Sequence, residues 1–141
     1  MHKPIDLQIR SLQHVGIPVT DIKRSEAFYQ SLGFKNNMQA NFQYAVNEKG
    51  TCIMMQLGSI TLELYEMPEP DNSEVRNRKN GHIDHIAFDV VDINLTFQTL
   101  HTAGFYSIEA APVKLDFWKS GCMYFNILGP DGERLEFNQI L

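Results

Sequence analysis

The sequence predicts an α+β domain built from two similar modules, in each of which a strand and a helix precede three further strands. The main observation is an internal repeat. His14 and His85 stand 71 residues apart, and the Gly-Phe pairs that begin at Gly33 and Gly104 keep the same offset. A period of this length is too long for a solenoid unit, and a unit of this length would be only marginally stable as an independent domain. We therefore expect two modules folded into a single domain, 1–141.

The expected organisation places module one at about 11–66, a linker at 67–81 and module two at about 82–141. Prolines and small polar residues give the linker the composition of a surface crossing, with room for a short helix. Hydrophobic residues make up 43% of the 141 residues, which is ample for a packed core.

One helix is expected in each module. Asp21 and Asp92 stand where an N-cap would accept a backbone N–H, and amphipathic stretches follow them. Gly33 and Gly104 are expected to end these helices, because glycine adopts the left-handed conformation at low cost. The expected helices and their core candidates are Ile22–Leu32 with Ala27, Phe28 and Leu32, and Ile93–Ala103 with Leu95, Phe97 and Leu100.

Runs of alternating or apolar residues between turn signals predict the strands. Turns are expected at 47–50, 57–59 and 129–132. The expected strands are Leu12–Val19, a short edge at Phe34–Met38, Phe42–Val46, Cys52–Leu57, Ile60–Tyr65, Ile83–Val90, Tyr106–Ala111, Met123–Leu128 and Glu133–Gln139.

Composition excludes several classes of function. No run of about 18 apolar residues is present, so no membrane span is expected. The first ten residues are polar and lack an apolar signal core. Cys52 and Cys122 are expected to be reduced and buried at equivalent interior positions. A net charge of −5 without a basic cluster argues against nucleic-acid binding. We expect a cytoplasmic protein whose partner is a small molecule.

Four residues carry the chemistry: His14, Glu63, His85 and Glu136. Each has the same relative place in a strand-like run, and the two glutamates are 73 residues apart, close to the histidine offset. Side chains alternate along a strand, so the flanking apolar residues point one way and these four point the other. Two imidazoles and two carboxylates on one concave face predict a site for a divalent metal ion.

Ordinary interpretations of these residues exist. A lone strand histidine is usually structural, and a glutamate in an alternating strand usually faces solvent, as we expect for Glu66, Glu109 and Glu133. A duplication could also have copied exposed residues without any function. The matching positions in both modules favour ligands instead. His82 is a rival of His85, but it points to the opposite face, so His85 is the predicted ligand.

These segments resemble the vicinal-oxygen-chelate superfamily, which contains glyoxalase I, methylmalonyl-CoA epimerase, fosfomycin-resistance proteins, bleomycin-binding proteins and extradiol dioxygenases. The resemblance extends from about Leu12 to Gln139. The segments that carry it are His14–Ile22, Phe28-Tyr29, Leu32–Phe34, Ile60–Leu64, Asp84–Val90 and Gly129–Phe137.

The resemblance implies two βαβββ modules joined in one open, cup-shaped, eight-stranded sheet around a metal site. It also implies that His14, Glu63, His85 and Glu136 are the ligands, a set similar to that of bacterial glyoxalase I and close to that of the epimerase. Imidazole and carboxylate donors suit one Ni, Co, Zn, Mn or Fe ion. Bleomycin-binding members lack these ligands, and no organic cofactor is expected.

The activity implied is that of a metal-dependent lyase or isomerase, similar to lactoylglutathione lyase, which transfers a proton through a metal-chelated enediolate. Glu63 and Glu136 are then both ligand and acid/base, and the sequence leaves open which one removes the proton. The alternatives are an acyl-CoA-type epimerase, a non-catalytic protein that binds a small molecule or confers resistance, and an oxygenase.

Two further expectations follow from the family. Glyoxalase I has an arginine four residues after the first ligand and an asparagine four residues after the second, where this sequence has Pro18 and Met67. Glutathione is therefore expected to be a poor co-substrate.

Sheet edges favour association, so we expect a homodimer.

Overall fold

The computed structural model describes residues 4–78, 83–128 and 134–141. It has the α+β class that the sequence predicts. In chain order its elements are β1 (Ile9–Pro18), α1 (Ile22–Ser31), β2 (Lys35–Ala45), β3 (Glu48–Leu57), β4 (Ile60–Glu66), α2 (Asp71–Asn77), β5 (His85–Val90), α3 (Ile93–Thr102), β6 (Val113–Leu115), β7 (Cys122–Leu128) and β8 (Arg134–Ile140).

The chain groups into two compact units. The first unit is His14–Asp84, and the second is His85–Leu141 together with the described residues before His14. Strand β1 therefore begins in the second unit and ends in the first. The assignment of one domain, 1–141, stays a prediction.

Both units have the expected strand, helix and three strands. In the first unit the strand order is β2-β3-β4-β1, and β4 pairs with β1 in parallel while the other neighbours are antiparallel. In the second unit the order is β5-β8-β7-β6, again with one parallel pair, β5 with β8. The repeat seen in the sequence is thus a repeat of topology, and the two-module plan is confirmed.

Each unit has its own hydrophobic core between its helix and one face of its strands. These cores contain Val19, Ile22, Ile53, Met55 and Leu64 in the first unit, and Val90, Ile93, Leu100, Phe125, Ile127 and Phe137 in the second. Alternation then turns the intervening residues of the same strands to the opposite face. That opposite face carries the candidate site residues.

The helix starts are held in the same way in both units. The carboxylates of Asp21 and Asp92 accept hydrogen bonds from the backbone N–H groups of Arg24 and Leu95, both at 3.0 Å. The helices end before Gly33 and Gly104, whose φ angles are +97° and +90°. The expected caps and helix ends are confirmed.

A side chain on the last strand of each unit also contacts the first helical N–H. Glu66 accepts from Ile22 N at 2.7 Å, and Gln139 accepts from Ile93 N at 2.9 Å. The expectation that Glu66 only faces solvent is therefore wrong. Its carboxylate satisfies a helix N–H that has no partner inside the helix.

Several predicted strands need correction. The short edge at Phe34–Met38 and the strand at Phe42–Val46 are one strand, β2, with register shifts between Asn36 and Met38 and between Gln43 and Ala45. Tyr106–Ala111 is not a strand; Ser107 makes a single bridge to Ile127, and the edge strand β6 lies further along the chain. Tyr106 and Ile108 alternate as in a strand but are exposed.

The helix core candidates were only partly right. Leu100 is buried and Phe97 packs against the second core, but Ala27, Phe28, Leu32 and Leu95 are exposed. On α1, Ile22 and Tyr29 contact the core instead. Both faces of these helices carry apolar residues, so periodicity alone does not define the inner face.

Cys52 and Cys122 are buried, as expected. They are not equivalent, because the cross-strand neighbours Met54–Glu63 and Asn126–Glu136 set the offset between β3 and β7 at 72 residues rather than 70. None of the helices in the described part of the chain is long and apolar enough to cross a membrane. His82, Glu133 and the predicted turn at 129–132 lie outside the described residues.

Candidate functional site

The first candidate pair is His14 and Glu63. Strands β1 and β4 run in parallel, with Gly16 opposite Glu63, and His14 shares the face of Gly16 because it lies two residues before it. The His14 Nε2 and Glu63 Oε2 atoms are 3.2 Å apart. His14 is buried, and the Glu63 side chain is only 13% exposed. The parallel pairing thus brings an imidazole and a carboxylate together in a protected position.

The second pair, His85 and Glu136, repeats this arrangement. Ala87 is opposite Glu136 in the parallel β5–β8 pair, and His85 lies two residues before Ala87. The distance from His85 Nε2 to Glu136 Oε2 is 3.4 Å, and both residues are buried. The residue two positions after the histidine is opposite the glutamate in both pairs, so the two pairs have the same strand register.

The donor atoms of each pair fit a metal ion. Zinc bonds to imidazole nitrogen and carboxylate oxygen are about 2.1 Å long, so two donors at right angles around an ion lie roughly 3 Å apart. The two observed separations, 3.2 Å and 3.4 Å, are close to that value. Burial also removes competing water. Each pair therefore suits a borderline divalent ion.

Residues of β3 contact Glu63 on the side of its cross-strand neighbour. Met54 is its cross-strand neighbour on β3 and is buried. The Cys52 thiol donates to the second carboxylate oxygen, Oε1, at 3.6 Å. A thiol is a weak donor, so this contact restrains the carboxylate only weakly.

Glu136 has stronger polar support. Asn138 Nδ2 donates to Glu136 Oε1 at 2.8 Å, and Gln13 Nε2 donates to the side-chain oxygen of Asn138 at 3.0 Å. Gln13 is also 3.4 Å from the carboxylate of Asp89, which forms an ion pair with Arg10 at 2.6 Å. An amide network therefore fixes one oxygen of Glu136 and leaves the other toward His85.

Asn126 is a further residue on this face. It is the cross-strand neighbour of Glu136, and Glu109 accepts hydrogen bonds from its side-chain nitrogen at 2.9 Å and its backbone nitrogen at 2.6 Å. The expectation that Glu109 only faces solvent is wrong. The roles of Asn126, Asn138 and Gln13 were not predicted from the sequence. Asn138 lies two residues after Glu136 on the same strand, and that parity was a usable signal.

His101 lies away from these pairs. Its ring stacks on Phe97 with centroids 4.2 Å apart, and its Nε2 atom is 3.0 Å from the Ser107 hydroxyl. The residue is exposed on α3. His101 is therefore a suitable control for substitutions of the paired histidines.

Comparison with known proteins identifies the family. The model of the Glyoxalase/Bleomycin resistance protein/Dioxygenase superfamily matches residues 11–137. The chain belongs to this superfamily. The match covers both histidine–glutamate pairs, and it confirms the resemblance found in the sequence.

One similar sequence and two similar structures illustrate the relationships of this chain. The uncharacterized protein YwkD of Bacillus subtilis strain 168 is 30% identical over 112 residues, which are 77% of this chain and 80% of that protein. Methylmalonyl-CoA epimerase from Mycobacterium tuberculosis has a similar structure, with a TM-score of 0.77, 16% identity and coverage of 99% of this chain and 94% of the epimerase.

A mutant of 4-hydroxymandelate synthase from Streptomyces coelicolor is also similar, with a TM-score of 0.72 and 15% identity over 93% of this chain and 49% of the synthase. At these identities the two structures show that the fold is shared. They do not indicate the substrate of this chain. Proteins with this fold thus have different names and activities, and the function of this chain has to be inferred from its own residues.

Proposed function

We propose that this protein is a metal-dependent lyase or isomerase of the glyoxalase type, acting on a small oxygenated substrate. In this proposal His14, Glu63, His85 and Glu136 together hold one divalent ion, which is Ni²⁺, Co²⁺, Zn²⁺, Mn²⁺ or Fe²⁺. The observation that carries the proposal is the pair of buried imidazole–carboxylate contacts, at 3.2 Å and 3.4 Å, built on the same strand register. Membership of a superfamily that includes enzymes supports it.

The chemistry follows from the donors. A bound divalent ion supplies Lewis acidity toward two oxygens on adjacent substrate carbons, which makes a neighbouring C–H bond easier to ionise. His14, Glu63, His85 and Glu136 would hold the ion, and the substrate oxygens would complete its coordination. Nitrogen and oxygen donors favour the borderline ions named above over soft ones.

The chain supplies the proton transfer. We assign Glu63 and Glu136 the acid/base role in addition to binding the ion, because they are the carboxylates of the two pairs and are shielded from water. A carboxylate oxygen that takes the proton from one carbon and returns it to the next gives an isomerisation. The return of the proton to the opposite face of the same carbon gives an epimerisation.

Metal content tests the ligand set. Protein purified and loaded with Co²⁺ should hold about one ion per chain, and His14→Ala, Glu63→Gln, His85→Ala and Glu136→Gln should each lose stoichiometric binding. His101→Ala is the matched control, since it removes an exposed histidine outside the pairs. Circular dichroism checks that every variant is folded.

The pattern of losses is decisive. If only the His14 and Glu63 variants lost the ion, or only the His85 and Glu136 variants, a single pair would be the site and the four-ligand proposal would be wrong. If all four variants kept one Co²⁺ ion per chain, these residues would not be the metal ligands. Protein that takes up no ion would favour the alternative of a non-catalytic binding protein.

An acyl-CoA-type epimerase is the second candidate. The positions at which glyoxalase I has contacts to its thiol co-substrate are Pro18 and Met67 here, and neither side chain can form an ion pair with a carboxylate. We therefore expect the glutathione hemithioacetal to react well below the usual enzymatic range of about 10⁴–10⁸ M⁻¹s⁻¹ in kcat/KM. Assays with α-hydroxycarbonyl compounds and 2-substituted acyl-CoA thioesters separate the two candidates, and an efficient reaction with the hemithioacetal would contradict this expectation.

We also propose a cytoplasmic homodimer. In the described part of the chain, β2 and β6 each pair along one edge only, and exposed strand edges favour association. Light scattering at micromolar concentration tests the dimer, and a monomer mass would exclude it.

A further inference from the structure

We propose that the side-chain oxygen of Asn126 is a substrate-binding acceptor beside Glu136, and that it recognises a hydroxyl or N–H donor on the substrate. The inference rests on the proposed function, because it requires Glu136 to line the active site. It adds a specificity-determining residue to the four candidate ligands and narrows the substrate class. The substrate would carry a hydrogen-bond donor besides its two metal-binding oxygens.

The position of Asn126 follows from strand register. Asn126 on β7 is directly opposite Glu136 on β8 in an antiparallel pair. Side chains at directly opposite positions lie on the same face, with Cβ atoms about 4.5–5.5 Å apart. The neighbours of Asn126 on β7, Phe125 and Ile127, turn to the other face and belong to the core. Asn126 therefore shares the face of the candidate ligand Glu136.

The orientation of the Asn126 amide is fixed. Its side-chain nitrogen donates to Glu109 Oε1 at 2.9 Å, and its backbone N–H donates to Glu109 Oε2 at 2.6 Å. Its backbone carbonyl accepts from Ile108 N at 2.8 Å. A carboxylate only accepts hydrogen bonds, so the amide nitrogen has to face Glu109 and the amide oxygen has to face away.

That oxygen is an acceptor in need of a donor. Asn126 is 3% exposed, and none of the residues that the structure describes donates to its Oδ1 atom. A buried acceptor without a donor destabilises the folded state, and such atoms in native proteins call for an explanation. A donor on a bound substrate would satisfy it, and the fixed amide would then select for that donor.

The first unit has no such group at the corresponding position. Met54 is opposite Glu63, where Asn126 is opposite Glu136. A buried methionine there fills space and offers no oxygen acceptor. The strand frame of the fold therefore does not require an amide at this place. The hydrogen bond to Glu109 accounts for the amide nitrogen, and the buried oxygen Oδ1 is the atom that a ligand would explain.

The test uses Co²⁺-loaded protein and two chelating probes. Glycolohydroxamate carries an N–H and an extra hydroxyl, whereas N-methylacetohydroxamate offers neither. Calorimetric titration of the unmodified protein should show glycolohydroxamate binding about tenfold or more tightly. Asn126→Leu, which keeps the side-chain size without the acceptor, should bring this ratio close to one. The Co²⁺ affinity and absorption spectrum should stay unchanged.

Controls make each outcome informative. Asn126→Ala repeats the measurement in case the leucine variant does not fold, and Asn94→Leu, on the exposed side of α3, should keep the original ratio. Glu109→Gln should lower the ratio at least in part, because a glutamine no longer fixes the amide orientation. An unchanged ratio in the Asn126 variants would overturn the inference.

Loss of Co²⁺ affinity in the Asn126 variants would also overturn the inference, because Asn126 would then act on the ion, either as a ligand or by supporting Glu136. Protein that binds no Co²⁺ at all would overturn the proposed function, and this inference with it. The two failures are therefore distinguishable from one titration series.

Discussion

Glu63 and Glu136 have the same place in their units but different surroundings. Both lie close to a histidine on the neighbouring parallel strand, at 3.2 Å and 3.4 Å. Met54 lies opposite Glu63 and the Cys52 thiol donates to its carboxylate, whereas Asn126 lies opposite Glu136 and the Asn138 amide donates to its carboxylate. The two units share the geometry of the pairs and differ in the residues that contact each glutamate.

This difference indicates that the two glutamates are not oriented equally strongly. A carboxylate whose second oxygen accepts a short amide hydrogen bond has fewer accessible orientations than one contacted by a weak thiol donor. Residues that support metal ligands in this way typically raise metal affinity. We therefore expect the hydrogen bonds of Asn138 and Gln13 beside Glu136 to raise metal affinity more than the Cys52 contact beside Glu63 does.

The largest effect is expected at Asn138. Asn138→Ala should weaken Co²⁺ binding by about 10–100-fold, because it removes the hydrogen bond that orients Glu136. Cys52→Ala, the matched change beside Glu63, should weaken binding less than about threefold, because a thiol is a weak donor. Competition with a chelator at fixed pH measures both. Equal losses would contradict the asymmetry.

Gln13 provides the control for this network. Gln13→Ala should weaken Co²⁺ binding less than Asn138→Ala does, since it acts through the Asn138 amide. The double variant should then bind no more weakly than Asn138→Ala alone, because contacting residues in one network are not additive. Losses that multiply would mean that Gln13 affects the ion by another route.

A second, smaller comparison concerns the helix starts. Glu66→Ala should lower the free energy of unfolding by about 1.5–3 kcal/mol, because it removes a charge-assisted hydrogen bond to the start of α1. Gln139→Ala removes the neutral equivalent at α3 and should cost only about 0.5–1.5 kcal/mol. Urea denaturation of both variants measures the difference. A larger loss for Gln139→Ala would refute the charge argument.

Local signals in the sequence predicted the helix starts and ends, and the repeat predicted equivalent positions for the two histidine–glutamate pairs. Asp21 and Gly33 act within a few residues of the helix that they begin and end, so their effect can be read locally. The repeat predicted that His85 and Glu136 share a face, and they do. This prediction needs only the repeat offset and the strand parity, because the two units have the same register.

The remaining features depend on contacts between distant residues. Glu109 was expected to face solvent, yet its partner Asn126 is 17 positions away and is reached only because the segment near Ser107 runs beside β7. Phe28 was expected in the core because α1 has apolar residues on more than one face. In both cases the decisive information was tertiary packing, which a local pattern does not contain.

The most direct test of the account is X-ray absorption spectroscopy of the Zn²⁺-loaded protein. The four-ligand proposal predicts a first shell of nitrogen and oxygen only, at about 2.0–2.2 Å, with multiple scattering from two imidazoles. His85→Ala, if it retains any ion, should show the signature of one imidazole. A sulfur scatterer at about 2.3 Å would implicate a cysteine and contradict the ligand set, as would a single imidazole in the unmodified protein.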